Sequence, residues 1–268
     1  MTEVYAYYTD ATKQLLEKHI KESIEAFKSN IKYTKIWEYY VNISEYDEKT
    51  VEKWMKFTIT FHDIGKIFYQ KNFRENFGRL SFVGHEFFST FLADKFLNIW
   101  LDKDVENRTT EYIDFRWVVC ASILYHHHAM GLKGREKLSE IKVCEENEFN
   151  EIVETVSKIL KSYLKDFENE VIDSFANELK KQNLKKSGRY LILDQKAVTD
   201  IFRCVDELNK KIWENFVSAS KFRKRMILST NLLILSDYKG SESRGTKPTR
   251  FGEILNEFIK LYKLDYIK

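Results

Sequence analysis

The residues best suited to chemistry lie in segment 61–66, which reads Phe-His-Asp-Ile-Gly-Lys. His62 offers a neutral imidazole and Asp63 an anionic carboxylate at one point of the backbone. Such a pair suits a divalent cation, and a carboxylate can bridge two cations. Gly65 lets the chain pass close to a site, and Lys66 supplies a compact positive charge suited to a phosphate. Capping of a helix end would explain the His-Asp dipeptide alone, but the whole segment, set between apolar residues, is more specific.

The six histidines of the chain include three successive ones, at positions 126–128. They end an apolar stretch, where unpartnered burial of imidazoles would be costly. Adjacent residues of a helix point about 100° apart, so three successive rings cannot easily share one ion, whereas two can near a helix end. His19 borders an apolar helical face and His85 follows Gly84. Taken alone, each of these two is more often a hydrogen-bonded core or boundary residue than a ligand.

Asp237 follows the apolar run 232–235 directly after Ser236. A carboxylate drawn toward a core needs a cation or hydrogen bonds, and an acid at a helix C-terminus opposes the helix dipole. A metal ion is one explanation for its position. Lys239, Arg244 or backbone donors are the alternative.

Helices must position these side chains, because apolar residues recur at helical spacing almost throughout the chain. One proline and nine glycines in 268 residues leave too few turn residues for an all-β fold. We expect an all-α fold with a single domain over residues 1–268. Asp194 and Ser220 are candidate caps, the helix after Ser220 is predicted to run to Leu235, and a last helix is predicted near 251–262. The stretch from about 136 to 215, which includes the amphipathic residues 152–179, is interpreted as scaffold, and loops are predicted at 131–135, 181–188 and 240–248.

Composition describes a globular protein, with 43% hydrophobic and 32% charged residues. The net charge of +3 neither requires nor excludes a polyanionic partner. Cys120, Cys144 and Cys204 are odd in number and form no CxxC pair, which argues against a disulfide framework and for a reducing cytoplasm. No signal peptide is visible and the longest apolar run is too short to span a bilayer, so no membrane partner is expected.

Taken in order, the candidate residues resemble the pattern of the HD superfamily of metal-dependent phosphohydrolases. The lysine of HDxGK, the single histidine after glycine, the adjacent histidine pair and the late Ser-Asp resemble more particularly the HD nuclease of type I CRISPR interference. The resemblance spans about residues 15–245. No GxxxxGK[ST] motif is present, so the chain is similar to the stand-alone nuclease without its helicase.

The resemblance implies two neighbouring divalent metal ions and a residue set to hold them. His19, His62, Asp63 and Asp237 would hold the first ion. Asp63 would bridge to the second ion, whose other ligands would be His85, His126 and His127. The alternative pair is His127 and His128; the first pair is preferred because residues 123–125 then align with the apolar residues before the family's pair. Asp63 and Lys66 would be catalytic, and Mn²⁺, Mg²⁺, Ni²⁺ or Co²⁺ would serve unequally.

The resemblance further implies a nuclease that cleaves single-stranded DNA, with RNA as a second candidate substrate, in antiviral defence by a two-metal mechanism. Its partners would be a separate superfamily 2 helicase and a CRISPR RNA-guided surveillance complex. Lys221, Arg223 and Arg244 are candidate contacts to the nucleic-acid backbone, although a solvated helix face is the default for such basic runs. The alternatives are an HD phosphohydrolase acting on nucleotides or cyclic dinucleotides, and a non-catalytic helical nucleic-acid-binding module.

Overall fold

The computed structural model describes residues 2–74, 78–103, 110–127, 140–244 and 253. Helices dominate the described residues, as the apolar periodicity predicts. The α-helices are α1 (Leu16–Ser29), α2 (Lys35–Ser44), α3 (Glu48–Phe61), α4 (His85–Lys103), α5 (Thr110–Tyr125), α6 (Phe149–Tyr163), α7 (Asn169–Lys180), α8 (Gln195–Ser218) and α9 (Ser220–Ser241). Short 3₁₀ helices cover Ile31–Tyr33, Ile64–Tyr69 and Glu242–Arg244. The all-α fold class is confirmed, while the single domain over residues 1–268 stays a prediction.

Several helix starts are fixed by side-chain caps. Asp194 accepts a hydrogen bond from the backbone N–H of Ala197 at 2.9 Å, which confirms its predicted role at the start of α8. Asp47 caps α3 in the same way through the N–H of Thr50, also at 2.9 Å. These caps satisfy backbone donors that a helix leaves unpaired at its first turn.

The central element of the core is α3, which is buried over most of its second half. Its aromatic residues Trp54, Phe57 and Phe61 contact aromatic rings from α4 and α7 and from the segment between α6 and α7. Each buried side chain of this size contributes roughly 1.5–3 kcal/mol relative to exposure. Helices α1, α4, α5 and α9 pack against α3, and the candidate site residues lie in or directly after these five helices.

Three small antiparallel sheets accompany the helices. They are the pair β1 (Tyr5–Tyr8) and β2 (Lys13–Leu15), the pair β3 (Phe73–Arg74) and β4 (Arg79–Leu80), and the sheet β5–β7–β6 built from β5 (Ile141–Glu145), β6 (Lys185–Ser187) and β7 (Tyr190–Leu193). The predicted loop at 181–188 therefore contains a strand. The amphipathic stretch 152–179 forms two helices, α6 and α7, because the chain turns between residues 164 and 168.

The end of α9 differs from the prediction. The helix continues past Leu235 to Ser241, so that Asp237 lies inside it and Gly240, predicted as the start of a loop, is helical. The loop at 131–135 and the last helix near 251–262 lie outside the described residues, apart from residue 253. Within the described part of the chain, no helix combines the length and apolar character needed to cross a membrane.

Candidate metal centre

Two groups of metal-ligand side chains meet at the centre of the fold. The first group consists of His19 in α1, His62 and Asp63 after α3, and Asp237 in α9. The second consists of His85 at the start of α4 and the pair His126 and His127 directly after α5. Within each group, the potential ligand atoms all lie within 4.8 Å of one another.

Distances within the first group match the edges of a metal coordination shell. His19 Nε2 lies 3.1 Å from Asp63 Oδ2, 3.1 Å from Asp237 Oδ1 and 3.3 Å from His62 Nε2. His62 Nε2 lies 3.6 Å from Asp63 Oδ2 and 3.5 Å from Asp237 Oδ1. Ligand atoms about 2.1 Å from one ion are about 3.0 Å apart at right angles and about 3.4 Å apart at the tetrahedral angle. The four side chains can therefore share one cation.

The carboxylate of Asp63 lies between the two groups. Its Oδ2 faces His19, while its Oδ1 is 2.9 Å from Nε2 of His85 in the second group. That close pair does not have hydrogen-bond geometry, and neither atom has a hydrogen-bond partner among the described residues. Lys66 donates from Nζ to Oδ2 at 2.6 Å. One carboxylate thus presents a different oxygen to each group.

Three of the histidines are oriented by the same local hydrogen bond. His62 Nδ1 lies 2.6 Å from the carbonyl oxygen of Ile59, three residues earlier, and His126 Nδ1 lies 2.6 Å from that of Ile123. His85 Nδ1 lies 2.7 Å from the carbonyl oxygen of Phe82. A carbonyl can only accept, so each Nδ1 must carry a proton, and Nε2 is the ring nitrogen that faces the site and can bind a cation once it is deprotonated.

The second group is made of imidazoles alone. The rings of His126 and His127 have centroids 3.9 Å apart, and those of His85 and His127 are 5.1 Å apart. Nε2 of His85 and of His126 are buried without a hydrogen-bond partner among the described residues. Leaving such atoms unpaired is costly, and a bound cation would satisfy them. His128 lies outside the described residues, so the alternative pair is not tested.

The ionisation of the site follows from its burial and its charges. Burial lowers the pKa of His126 to about 3, with the nearby His62 and His85 adding to the effect. Burial alone would raise the pKa of Asp63, but the charges of Lys66 and His62 outweigh it and hold that pKa well below its usual value. Burial also opposes ionisation of Asp237. Hydrogen bonds from His19 and His62 nevertheless hold the pKa of its carboxyl group well below the usual value. The site thus combines ionised carboxylates with a neutral His126.

Two glycines permit the close approaches that assemble the site. A Cβ on Gly65 would lie well under 3.0 Å from the backbone of His85 and of Ser89, at the start of α4. A Cβ on Gly240 would lie 2.8 Å from the backbone nitrogen of Ser23 in α1, a separation that real Cβ atoms essentially never show. Gly65 therefore brings the segment after Asp63 against His85, and Gly240 brings α9 against α1.

Two of the three basic residues predicted to bind nucleic acid, Lys221 and Arg223, lie near the start of α9, far along that helix from Asp237. Lys221 is 16 positions before Asp237 on α9, which is about 24 Å along a helix. Lys221 forms an ion pair with Glu45, and Arg223 donates to the carbonyl oxygens of residues 216 and 217 at 2.8 and 2.9 Å. Arg244, just beyond α9, donates to Gln14 Oε1 at 2.5 Å.

Sequence reasoning does not identify Gly240 or Ser23 as site-building residues. Their only sequence signal is position: Gly240 follows Asp237 by three residues, and Ser23 follows His19 by four. Both spacings place a small residue about one helical turn from a ligand candidate and on the same face. That signal is informative only where both segments are helical, and the sequence predicts a loop at Gly240.

Comparison with known proteins supports the same class of site. No protein family model matches the chain. The chain is 24% identical over 258 aligned residues to the CRISPR-associated endonuclease Cas3-HD of Methanocaldococcus jannaschii, and the match covers 92% of this chain and 86% of that protein. The predicted resemblance to an HD nuclease is confirmed. The relationship is distant, and the assignment of individual ligands stays a prediction.

Proposed function

We propose that the protein is a metal-dependent nuclease that hydrolyses phosphodiester bonds of single-stranded DNA in CRISPR antiviral defence. The observation that carries the proposal is the carboxylate of Asp63, which directs Oδ2 to His19 and Oδ1 to His85. A single carboxylate that faces two groups of potential ligands is an arrangement that can hold a pair of neighbouring divalent cations. Similarity to the CRISPR-associated endonuclease of M. jannaschii supports the same reaction class.

The residues fit a pair of cations through their donor types and their unpaired buried atoms. His19, His62 and Asp237 would hold one ion and His85, His126 and His127 the other, with Asp63 between them. Two ions bound there would activate a water molecule and stabilise charge on the attacking and leaving oxygens of a phosphodiester. The imidazole-rich second group favours transition ions such as Mn²⁺, Co²⁺ or Ni²⁺, whereas the carboxylates of the first also accept Mg²⁺.

Lys66 supplies positive charge at the same point. Its Nζ is 2.6 Å from Asp63 Oδ2, and its side chain is almost fully buried. An ammonium in a water-poor site stabilises developing negative charge more strongly than one in solution. We therefore assign Lys66 a catalytic role beside the scissile phosphate, with Asp63 kept ionised as its partner.

The biological setting is proposed from the resemblance and the distant relative. We propose that single-stranded DNA reaches this nuclease through a separate superfamily 2 helicase and a CRISPR RNA-guided surveillance complex. The relative is itself a CRISPR-associated endonuclease, which supports that setting. We propose that the whole chain acts as one HD nuclease domain in the cytoplasm.

The decisive experiment incubates the purified protein and Mn²⁺ with labelled single-stranded DNA and, in parallel, with nucleotides and cyclic dinucleotides. We expect DNA cleavage that EDTA abolishes and that Asp63→Ala eliminates. Asp166→Ala, an exposed aspartate between α6 and α7, serves as the matched control and should cleave normally. Nucleotide turnover with intact DNA would contradict the nuclease proposal and favour a phosphohydrolase.

A second measurement tests the site apart from its activity. Elemental analysis of the purified protein should find two divalent ions per chain, and anomalous diffraction should place them at the two groups. A protein that takes up no metal, and whose activities are all unchanged in Asp63→Ala, would instead be a non-catalytic helical module. The same diffraction map would decide between His126 and His128 as the partner of His127.

A further inference from the structure

Helix α8 presents an aromatic surface to solvent near its end. Trp213 is 44% exposed and Val217 is 74% exposed. These residues line an open groove of about 570 Å³ together with Asn209, Lys210 and Glu214. That volume lies within the range of about 300–1,000 Å³ typical of small-ligand sites. An exposed indole in an open groove offers a flat apolar face to a ligand.

The indole of Trp213 is held in place by polar contacts. Its Nε1 donates to the hydroxyl of Tyr125 at 2.8 Å, and that hydroxyl donates to Asn209 Oδ1 at 2.6 Å. The ring of Phe216 packs edge-on against the indole, with centroids 4.9 Å apart. We call Tyr125, Trp213 and Phe216 the aromatic shelf. A ring fixed before binding loses little conformational entropy when a ligand stacks on it.

One residue of the aromatic shelf is next in sequence to the candidate metal centre. Tyr125 is the last residue of α5 and directly precedes His126 and His127 of the second ligand group. Tyr125 also contacts Trp213, because its hydroxyl accepts the hydrogen bond from the indole Nε1. This connection distinguishes Trp213 from the exposed aromatic residue Tyr33, which lies in the 3₁₀ helix after α1.

A positively charged side chain, Arg223, lies beside Phe216 of the aromatic shelf. The guanidinium of Arg223 is 6.0 Å from the ring centroid of Phe216. Arg223 donates to the carbonyl oxygens of residues 216 and 217 in the last turn of α8, and these contacts hold its guanidinium in place without pairing it with a carboxylate. Aromatic rings beside a cation are features with which proteins bind single strands without sequence preference.

From these contacts, we propose that a single-stranded nucleic acid leaving the metal centre stacks one base on Trp213 and passes its backbone by Arg223. The inference rests on the proposed nuclease function and adds a binding subsite to it. A nucleic-acid strand is favoured over an apolar protein segment because the shelf has a cation beside Phe216 and includes Tyr125, the residue before His126. Sequence-independent stacking also suits an enzyme that must accept any strand.

Binding of a labelled phosphorothioate oligothymidylate to the Mn²⁺-loaded protein tests this subsite without cleavage. Trp213→Ala should raise the Kd by roughly 5- to 100-fold, and Trp213→Phe, which keeps a ring, by no more than about 3-fold. The control Tyr33→Ala should bind like the wild type. Oligonucleotide should quench tryptophan fluorescence in the wild type and less in Trp213→Phe. Mn²⁺ titration of each variant reports whether the metal centre is intact.

Equal Kd values for Trp213→Ala and Tyr33→Ala would overturn the proposal. A protein segment would then be the favoured occupant of the groove. If Trp213→Ala also weakens Mn²⁺ binding, through the contact of Trp213 with Tyr125, the fluorescence measurement decides between the two effects. Equal quenching by the oligonucleotide in the wild type and in Trp213→Phe would then overturn the subsite. Failure of the wild type to cleave unmodified DNA refutes the proposed function instead. A Trp213-dependent Kd in that case would still identify a nucleic-acid-binding surface.

Discussion

The approach of α9 to α1 at Gly240 controls the first ligand group. A Cβ on Gly240 would lie 2.8 Å from the nitrogen and 3.0 Å from the Cα of Ser23, and closer still to Ser23 Oγ. Ordinary contact begins near 3.4 Å. In Gly240→Ala the hydroxyl of Ser23 must rotate away, and the two helices must still separate by about 0.6 Å, because close-packed backbone cannot otherwise accommodate the methyl group.

This separation acts on the metal-ligand atoms about one turn away. His19 Nε2 and Asp237 Oδ1 are 3.1 Å apart, and the shift widens that gap by a comparable amount. A misplacement of 1 Å in a catalytic site costs on the order of 100-fold in rate, so about 0.6 Å should cost on the order of 10-fold or more. Overpacking should also lower the free energy of unfolding by roughly 1–3 kcal/mol.

The assay compares Mn²⁺ affinity by calorimetry, initial cleavage rate and chemical denaturation. Ser23→Ala removes the hydroxyl but not the backbone contact, so the double variant with Gly240→Ala should recover only part of the loss. Gly188→Ala is the control for stability alone, because its φ of +60° strains an alanine while the added Cβ meets nothing within 4 Å. Gly188→Ala should therefore keep normal Mn²⁺ affinity.

The reasoning is refuted if Gly240→Ala loses stability but binds Mn²⁺ and cleaves like Gly188→Ala. That result would mean that the first group adjusts freely to the spacing of α1 and α9. A double variant that adds the full penalties of Ser23→Ala and Gly240→Ala would equally contradict the proposed contact, since residues in contact should show coupling.

Three further outcomes are expected. Lys66→Ala should slow cleavage by at least about 10-fold yet retain metal in elemental analysis, because Lys66 contributes charge rather than a ligand; loss of metal would contradict this. Gly65→Ala should lower Mn²⁺ affinity, because the added Cβ would meet the backbone of His85, which no side-chain change relieves; unchanged calorimetry would show that α4 can yield. Metal-free protein should lose stability as the pH falls below about 6.5, since His126, with a pKa of about 3 when folded, and His127, whose pKa burial also lowers, take up protons on unfolding and together outweigh His62, whose pKa Asp63 and Asp237 raise. Denaturation midpoints at pH 7 and pH 5 test this, and a higher midpoint at pH 5 would contradict it.

The helical framework was predictable because apolar periodicity depends on local sequence, whereas the full set of candidate ligands came from the family resemblance. The stripe that includes Leu16 and Ile20 does form α1, and Asp194 does cap α8. The three small sheets were missed because their strands have two to five residues, too few for an alternating pattern to be recognised. β6 in particular is fully exposed and carries no apolar signal.

The distance between Lys221 and Asp237 follows from helix geometry alone once the extent of α9 is known. Lys221 and Asp237 share a helix, and 16 positions at about 1.5 Å each put them about 24 Å apart. Proximity in sequence within one long helix therefore does not mean proximity in space. The roles of Lys221, Arg223 and Arg244 in binding nucleic acid stay predictions, and the neighbourhood of Arg223 is the aromatic shelf rather than the metal centre.

The two glycines show why part of the site could not be read from the sequence. Gly65 stands inside a motif of chemical residues, which marks it as a candidate, yet what it approaches is the backbone of His85 and Ser89 and not a ligand side chain. Gly240 stands outside any motif and resembles a loop residue, because glycine is unfavourable within a helix by roughly 1 kcal/mol. A helix tolerates that cost where a larger residue would hold two segments apart. The contact with Ser23 is such a place, since His19 and Asp237 can share one cation only while α1 and α9 remain this close.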